Sequence, residues 1–341
     1  MLNTKRILYS LKDVAIMPAT ISEIEHRGEC NPYYKDGKLP IFTAPMPCVV
    51  DANTFSNYDE HGINAILPRT EPIGLRLYNC DKLWCAFSLT EFEKHFIKNK
   101  EEHVGCHLYI LIDVANGNML KLYEMAKGAK EFYGDNLKLM VGNVANPKTF
   151  EKFCKIGVDY VRCSVGSGAG CCTATCCGIL YPLASLIDEC YQIKMEGHYH
   201  TKIVADGGLS SFRRMIKALA LGADYVMLGS ALNKLEDSAG EIIPKMVLDK
   251  ETGHLVKGNV KEYYGMASEK GMKMLDKTGT PEGKIIYNKC EGTIESFVKE
   301  FTDYLKSTMS YCNIRTIDNF VGGPELNILS ENASNQFNQT R

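Results

Sequence analysis

The stretch 160–175 combines a glycine-rich loop with a cysteine that has the chemistry of a nucleophile. It begins with an apolar run, Tyr160–Val165, which predicts a buried strand. Three alternate glycines then favour a loop and permit close approach of the backbone to a ligand. The loop delivers Cys171 to the end of a strand, where a thiolate can attack a bound molecule. Taken alone, the pattern is more typical of a glycine-rich turn with an unreactive thiol, because cysteine is most often a small core residue.

The composition narrows the class of protein. The chain has 341 residues, 45% of them hydrophobic and 23% charged, which suits one large α/β domain or two small ones. A net charge of −2 without long Lys/Arg clusters argues against a nucleic-acid partner. No apolar run approaches the length of a membrane span, and the N-terminus lacks the apolar core of a signal peptide. We therefore expect a cytoplasmic protein without a membrane partner.

Fourteen cysteines are scattered through apolar segments, which predicts reduced thiols rather than a disulfide framework. The doublets Cys171-Cys172 and Cys176-Cys177 have no C-x-x-C pair or nearby histidine to complete four ligands. The sequence therefore predicts no zinc site.

Short apolar runs separated by segments long enough for a helix indicate parallel strands that are covered on both faces. The eight runs are Ile41–Ala44, Ala65–Leu67, Leu83–Phe87, Leu108–Ile112, Leu137–Val141, Tyr160–Val165, Lys202–Ala205 and Tyr225–Leu228. Asn146 and Pro147 predict the start of one crossover helix, which Gly157 ends, and Ser210 or Ser211 predicts the cap of another. Eight strand-helix units predict a single α/β domain, a (β/α)₈ TIM barrel, with a doubly wound sheet as the structural alternative.

The remaining segments are predicted to surround a barrel core at 40–240. Residues 1–39 are expected to form an N-terminal arm. Residues 241–292 are rich in Lys, Gly and Met and too long for an ordinary connection, which is typical of an active-site lid or a disordered insertion. In 293–341 we expect an amphipathic helix at Ile294–Leu305, and a frayed tail over the last dozen residues.

In a barrel the chemistry lies where the strands end. The residues at these ends are Pro45-Met46, Arg69, Asp113–Gly117, Gly142-Asn143, the Cys171 loop, Asp206–Gly208 and Gly229-Ser230. Glycine pairs after strands seven and eight favour phosphate binding through backbone N–H groups. Asp206 beside them is expected to accept hydrogen bonds from sugar hydroxyls.

At this point the sequence resembles the IMP dehydrogenase/GMP reductase family, from about Asp13 to the end of the closing helix. The matching pieces are Asp13-Val14, Ala44–Met46, Asp113–Gly117, Gly142–Val144, Arg162, Gly166–Cys171, Asp206–Gly208, Ala218–Asp224, Val226–Ser230 and Tyr264–Met266. The resemblance implies a homotetrameric barrel that binds a purine ribonucleotide and attacks its C2 carbon with the loop cysteine, which falls on Cys171.

Within the family, D-V-A-N-G after the fourth strand and Y-G-M-A-S-E in the lid look like GMP reductase. No regulatory insertion interrupts the barrel, and the Arg-Tyr pair of the dehydrogenases has no counterpart in Gly271–Lys284. The resemblance implies NADPH-dependent reductive deamination of GMP to IMP and ammonia. Three alternatives stay open: NAD-dependent oxidation of IMP to XMP, action on a modified purine nucleotide, and binding without catalysis.

The chain departs from the family pattern at three places. Ala169 stands where a phosphate-contacting serine is usual, and the segment after Thr173 lacks the usual Thr-Arg. Arg69 stands where reductases carry a lysine flanked by histidines. These departures concern phosphate contact, base specificity and cofactor choice.

The resemblance also assigns roles to residues. Cys171 is the expected nucleophile, and Thr173 and Glu282 are expected to protonate the departing amine. Glu282 is placed by matching P-E-G-K to the S-E-G-K of reductases, with a solvated surface glutamate as the alternative. The expected substrate-binding residues are Met46, Arg162, Ser167, Asp206, Gly207, Gly208, Gly229, Ser230, Tyr263, Gly265 and Met266. The expected cofactor-binding residues are Arg69, Asp113, Ala115, Asn116, Gly117 and Asn143, and a monovalent cation, K⁺, is expected at Gly166, Gly168 and Cys171.

Overall fold

The computed structural model describes residues 6–248 and 253–339. Its strands are β1 (Val14–Ile16), β2 (Ile41–Thr43), β3 (Ile66–Leu67), β4 (Trp84–Phe87), β5 (Leu108–Asp113), β6 (Leu137–Val144), β7 (Tyr160–Cys163), β8 (Lys202–Asp206), β9 (Tyr225–Leu228), β10 (Ile242–Leu248), β11 (Leu255–Tyr264), β12 (Ile285–Lys289) and β13 (Leu326–Ile328).

The helices are α1 (Phe55–Glu60), α2 (Ile73–Asn79), α3 (Leu89–Phe92), α4 (Leu120–Tyr133), α5 (Pro147–Lys155), α6 (Thr173–Cys177), α7 (Leu183–Glu196), α8 (Phe212–Ala220), α9 (Ser230–Asn233), α10 (Glu269–Met274), α11 (Ile294–Tyr311), α12 (Ile317–Phe320) and α13 (Glu331–Gln339). A π-helix spans Glu93–Lys98, and 3₁₀ turns lie at Arg27–Glu29, Lys100–His103 and Gly134–Asn136.

Eight parallel strands form one sheet in the order β2-β9-β8-β7-β6-β5-β4-β3. The sheet closes between its two ends, where the Thr43 N–H donates to the Asn64 carbonyl at 2.9 Å and the Asn64 N–H donates to the Ile41 carbonyl at 3.0 Å. Each of the eight predicted apolar runs overlaps one of these strands, and β5, β6 and β8 extend beyond their runs at the carboxyl end. The (β/α)₈ barrel is therefore confirmed, and closure excludes the doubly wound sheet.

Aromatic rings fill the amino end of the barrel. Trp84, Tyr160 and Tyr225 are the first residues of β4, β7 and β9. The ring centroids of Trp84 and Tyr160 lie 5.1 Å apart, and those of Phe42 and Tyr225 lie 4.9 Å apart. Packed aromatic rings fill this end of the barrel. The predicted polar site residues lie at the opposite end, at the carboxyl ends of the strands, where (β/α)₈ barrels have their active sites.

Helix α5 begins as its sequence predicts. Pro147 is its first residue, and the Asn146 side chain accepts a hydrogen bond from the Lys148 backbone N–H at 2.9 Å. Ser211, rather than Ser210, occupies the N-cap position of α8. The Ser211 side chain makes no capping hydrogen bond, so of these two residues only Asn146 caps its helix through its side chain.

The N-terminal arm and the C-terminal segment pair with each other through a two-stranded sheet. Strand β1 pairs antiparallel with β13, with Ala15 opposite Asn327. The prediction of a frayed tail is wrong, because α13 packs on the body: the Ser334 hydroxyl donates to the Lys12 carbonyl at 2.9 Å, and Lys217 Nζ lies 4.7 Å from the centroid of the Phe337 ring. Helix α11 is also longer than predicted and ends at Tyr311.

Residues 241–292, called the flap from here on, are folded in their described part. Strands β10, β11 and β12 form an antiparallel sheet, and α10 lies between β11 and β12. Lys261 of β11 is fully buried, and its ammonium donates to the carbonyls of Leu235 at 2.7 Å, Glu236 at 3.1 Å and Ser238 at 2.7 Å. This cage of oxygens anchors the flap to the segment that follows β9, so a disordered insertion is the wrong description.

Over residues 6–248 and 253–339, no helix is both long enough and apolar enough to cross a membrane.

Candidate active site

A chain of hydrogen bonds links the three predicted catalytic residues. The Cys171 thiol donates to Thr173 Oγ1 at 3.3 Å, and the Thr173 hydroxyl donates to Glu282 Oε2 at 3.2 Å. The sulfur is exposed in the loop after β7, whereas the carboxylate comes from the flap, 109 residues further than Thr173 along the chain. The arrangement gives a proton on the thiol a continuous path to a carboxylate.

Backbone contacts hold Glu282 beside the cysteine loop. The Cys172 N–H donates to the Glu282 carbonyl at 2.8 Å, and the Lys284 N–H donates to the Gly170 carbonyl at 3.1 Å. At Gly283 a Cβ would lie 3.1 Å from the Gly170 carbonyl oxygen and 3.0 Å from the Ser268 nitrogen, so this position tolerates a side chain poorly. The register of the flap against the loop therefore fixes where the carboxylate lies.

Three other thiols lie where burial or a neighbouring carboxylate disfavours the thiolate. Desolvation and then the negative charge of Glu282 raise the pKa of the Cys177 thiol at the end of α6. Burial raises the pKa of Cys48 to about 11 and that of Cys80 to about 12. Because the thiolate is the reactive form, these three thiols are held in the unreactive state near neutral pH.

A buried ion network crosses the carboxyl ends of the barrel strands. Arg162 Nη1 donates to Asp113 Oδ1 at 2.7 Å, and its Nε donates to Asp206 Oδ2 at 3.0 Å. Asn143 Nδ2 donates to the same Asp206 oxygen at 2.7 Å. Burial opposes the charge of Arg162, but Asp206 and Asp113 outweigh it and raise the guanidinium pKa. These four predicted site residues are therefore joined by direct hydrogen bonds, and Arg69 is a fifth member of the network.

Arg69 joins the network from the loop after β3. Its Nη1 donates to the Asp113 carbonyl at 3.1 Å, and its Nε lies 3.2 Å from Asp113 Oδ2. That Nε is buried, and among the described residues it has no partner with hydrogen-bond geometry, so its contact with Asp113 is ionic only. A buried donor without a well-aligned acceptor is what a ligand oxygen would satisfy.

Glycines after strands β8 and β9 make room for neighbouring hydroxyls. Gly207 has φ +82°, and a Cβ there would lie 2.7 Å from Ser167 Oγ. A Cβ at Gly229 would lie 2.5 Å from the Tyr263 hydroxyl of the flap. Burial raises the pKa of Tyr263, which keeps its hydroxyl protonated. Gly207 and Gly208 therefore lie against Ser167, and Gly229 lies against Tyr263.

The remaining predicted substrate residues border this region. Met46 follows β2 and is half-buried. It packs against the apolar residues inside the barrel and against the larger apolar core around them. The Gly265 carbonyl accepts hydrogen bonds from the Ser268 N–H at 3.0 Å and from its hydroxyl at 2.7 Å. Met266 lies in the same turn, which leads from β11 to α10.

The predicted cofactor residues after β5 lie on the rim. Ala115 and Asn116 are exposed, whereas Gly117 is buried and donates its N–H to the Asn143 carbonyl at 2.7 Å. A Cβ at Gly117 would lie 2.6 Å from that oxygen, so only glycine lets the rim approach the neighbouring strand.

Within 6–248 and 253–339, no group of three or more His, Cys, Asp or Glu is arranged to hold a metal ion. The K⁺ expectation concerns Gly166, Gly168 and Cys171, where the Gly168 carbonyl accepts the Cys171 N–H at 3.0 Å. That expectation stays a prediction.

The sequence did not indicate the polar residues that dock the flap. Lys261, Asn233 and Asn288 are all at least nine-tenths buried and form hydrogen bonds between the flap and the barrel. The only available signal was a polar residue interrupting an apolar run, which is equally typical of an exposed strand.

The fold and the site together define a (β/α)₈-barrel protein with a cysteine-centred site at the carboxyl ends of its strands. Residues 93–336 match the model of the IMP dehydrogenase / GMP reductase domain. The chain belongs to the IMP dehydrogenase/GMP reductase family.

Individual relatives point the same way. The chain is 31% identical to GMP reductase 2 of Mus musculus over 209 residues, which are 60% of this chain and 56% of that protein. It is 27% identical to the GMP reductase of Bacillus subtilis over 337 residues, 94% of each chain. It is 30% identical to the inosine-5′-monophosphate dehydrogenase of Chlorobaculum parvum over 218 residues, 61% of this chain and 42% of that protein. The matches to the mouse and Chlorobaculum proteins thus span about half of those relatives.

Proposed function

We propose that this protein is a GMP reductase, which converts GMP to IMP and ammonia with NADPH. The observation that carries the proposal is the hydrogen-bonded chain from Cys171 through Thr173 to Glu282. Removal of an amine needs an acid beside the nucleophile, and a threonine hydroxyl alone is too weak an acid. The near full-length similarity to the Bacillus subtilis GMP reductase supports the same assignment.

The proposed reaction begins with the thiol. The Cys171 proton passes to Thr173 as the proton of Thr173 passes to Glu282, and the thiolate adds to C2 of the purine. The same proton path then runs backwards: Glu282, through Thr173, protonates the amine as the C2–N bond breaks and ammonia leaves. The sulfur is expelled as thiolate when a hydride reaches C2, and IMP is released. The thiolate then takes a proton from solvent, which restores the Cys171 thiol.

NADPH, when bound, supplies that hydride. Arg69, Asp113, Ala115, Asn116, Gly117 and Asn143 are the residues that would hold it. The buried Nε of Arg69, with only an ionic contact to Asp113, fits an oxygen-bearing cofactor, and exposed Ala115 and Asn116 leave the rim open to it. The choice of NADPH over NAD follows the reductase assignment.

The nucleotide is proposed to lie between the barrel and the flap. Its phosphate would contact Ser167, Gly207, Gly208, Gly229, Ser230 and Tyr263, and its ribose would lie beside Asp206, which Arg162 and Asn143 hold in place. The base would reach Cys171 past Met46, Gly265 and Met266. A homotetramer and a K⁺ ion at Gly166, Gly168 and Cys171 belong to the same proposal.

One assay distinguishes the proposal from its rivals. Purified protein is incubated with GMP and NADPH, and in parallel with IMP and NAD, and the nucleotides are separated. IMP formation from GMP supports the proposal. XMP formation from IMP would instead establish a dehydrogenase, the reading that the similarity to the Chlorobaculum parvum enzyme favours. Binding of either nucleotide without turnover would indicate a different purine nucleotide or a non-catalytic homologue.

A further inference from the structure

Two buried asparagines join the flap to the end of β9. Asn233 is fully buried and Asn288 is 9% exposed. Asn288 Nδ2 donates to Asn233 Oδ1 at 2.7 Å and to Ser230 Oγ at 3.2 Å. Asn288 belongs to β12 of the flap, whereas Ser230 and Asn233 are the first and last residues of α9. Buried amides are retained where their hydrogen bonds are made, so this contact defines how the flap docks on α9.

Chemistry fixes the direction of these hydrogen bonds. Asn233 Nδ2 donates to the carbonyls of Cys48 at 2.7 Å and Glu262 at 3.1 Å. Because a carbonyl only accepts, the nitrogen of Asn233 must face these two groups and its oxygen must face Asn288. Asn288 in turn must present its NH₂ group to that oxygen, and the same NH₂ group donates to Ser230.

The consequence falls on the Ser230 hydroxyl. A serine hydroxyl has one proton to donate, and its oxygen already accepts from Asn288. Within the described residues, 6–248 and 253–339, Ser230 Oγ acts only as an acceptor. Ser230 is half-buried, so its O–H remains available to a ligand. A ligand group that only accepts, such as a phosphate monoester, is the natural partner of a hydroxyl held in this way.

We propose that Asn288 is a positioning residue of the flap, which holds the Ser230 hydroxyl as a hydrogen-bond donor to the 5′-phosphate of the nucleotide. Phosphate recognition then depends on the flap being docked, because the barrel supplies Ser230 and the flap supplies the group that orients it. The inference rests on the proposed function for the identity of the ligand as a nucleoside monophosphate.

The test is a double-mutant cycle on ligand affinity. The Kd values of GMP and guanosine are measured by calorimetry for the wild type, Asn288→Ala, Ser230→Ala and the double variant. Each single change is expected to raise the Kd of GMP about 10-fold, the usual effect of one hydrogen bond to a charged group, and to leave guanosine unchanged. Because Asn288 acts through Ser230, the double variant is expected to equal Ser230→Ala.

Two further variants guard the result. Asn259→Ala removes an exposed asparagine from β11 of the flap and is expected to change neither Kd. Asn288→Leu keeps the volume of the side chain and adds no charge, but it has no NH₂ group to donate to Ser230. It is expected to raise the Kd of GMP as much as Asn288→Ala does, which keeps the test valid if the alanine variant does not fold.

Additive losses in the double variant, or equal losses for GMP and guanosine, would overturn the inference. Wild-type protein that binds GMP more tightly than guanosine and follows the cycle, yet forms no IMP with NADPH, contradicts the proposed function alone. Normal turnover with unchanged GMP affinity in both Asn288 variants contradicts this inference alone. Wild-type protein that binds neither ligand contradicts both.

Discussion

The ion network of the barrel and the thiol-to-carboxylate chain of the flap are built in opposite ways. Arg162, Asp113 and Asp206 come from barrel strands, and their side chains are only 10% to 15% exposed. Cys171 and Glu282 come from a loop and from the flap, and both are exposed. The first group is preorganised by the fold. The second is complete only while the flap lies against the loop, so the ion network and the thiol-to-carboxylate chain have separate structural origins.

The largest effect is expected at the nucleophile. Cys171→Ala should lower kcat by more than about 10⁴-fold, as loss of a nucleophile does in other covalent enzymes, while the Kd of GMP changes little. Steady-state IMP formation with NADPH checks the rate. Cys172→Ala is the matched control, and substantial turnover by Cys171→Ala would exclude covalent catalysis at this position.

The second prediction compares how much a broken ion pair destabilises the protein in the barrel and in the flap. Arg162→Met leaves Asp206 buried without its cation and Asp113 with Arg69 alone, which should cost about 3–5 kcal/mol in the free energy of unfolding. Urea denaturation measures this value. Lys273→Met breaks the exposed pair with Glu269, whose side chains are 74% and 70% exposed, and should change stability by less than about 1 kcal/mol. Equal losses in the two variants would show that the barrel network is not the more rigid region.

A smaller effect is expected where the flap is anchored. Burial lowers the pKa of Lys261, and its ammonium satisfies carbonyls that would otherwise lack partners. Lys261→Met should therefore cost about 1–3 kcal/mol, concentrated in the flap. Hydrogen exchange should accelerate in β10, β11 and β12 and remain slow in β5 and β6. Uniform acceleration across the barrel would show that the flap does not open independently.

The same division explains what could be predicted from the sequence. Strands such as Leu137–Val144 are covered on both faces, so their continuous hydrophobicity identifies them. The flap strands are largely exposed, and α13 is held by contacts of Phe337 and Ser334 with distant residues, so neither leaves a local pattern.

At the site, a position at the end of a barrel strand identified the residues of the ion network, but it did not predict which of them pair with each other. Arg162 and Asp206 were expected to contact the nucleotide, yet they also bind each other at 3.0 Å. Asn288 lies in a short, mostly exposed strand. The sequence does not predict its burial or its hydrogen bonds, because both arise only when the flap docks on α9.

If the flap supplies the acid for this chemistry, the kcat values of two glutamine variants will differ sharply. Glu282→Gln removes the carboxylate that accepts from Thr173 at 3.2 Å and should lower kcat by roughly 10²–10⁴-fold with an unchanged Kd for GMP. Glu269→Gln, an exposed carboxylate of the same flap paired with Lys273, should retain nearly normal kcat. A normal kcat for Glu282→Gln would show that Glu282 is not the acid, and loss of activity in Glu269→Gln alone would assign that role to Glu269.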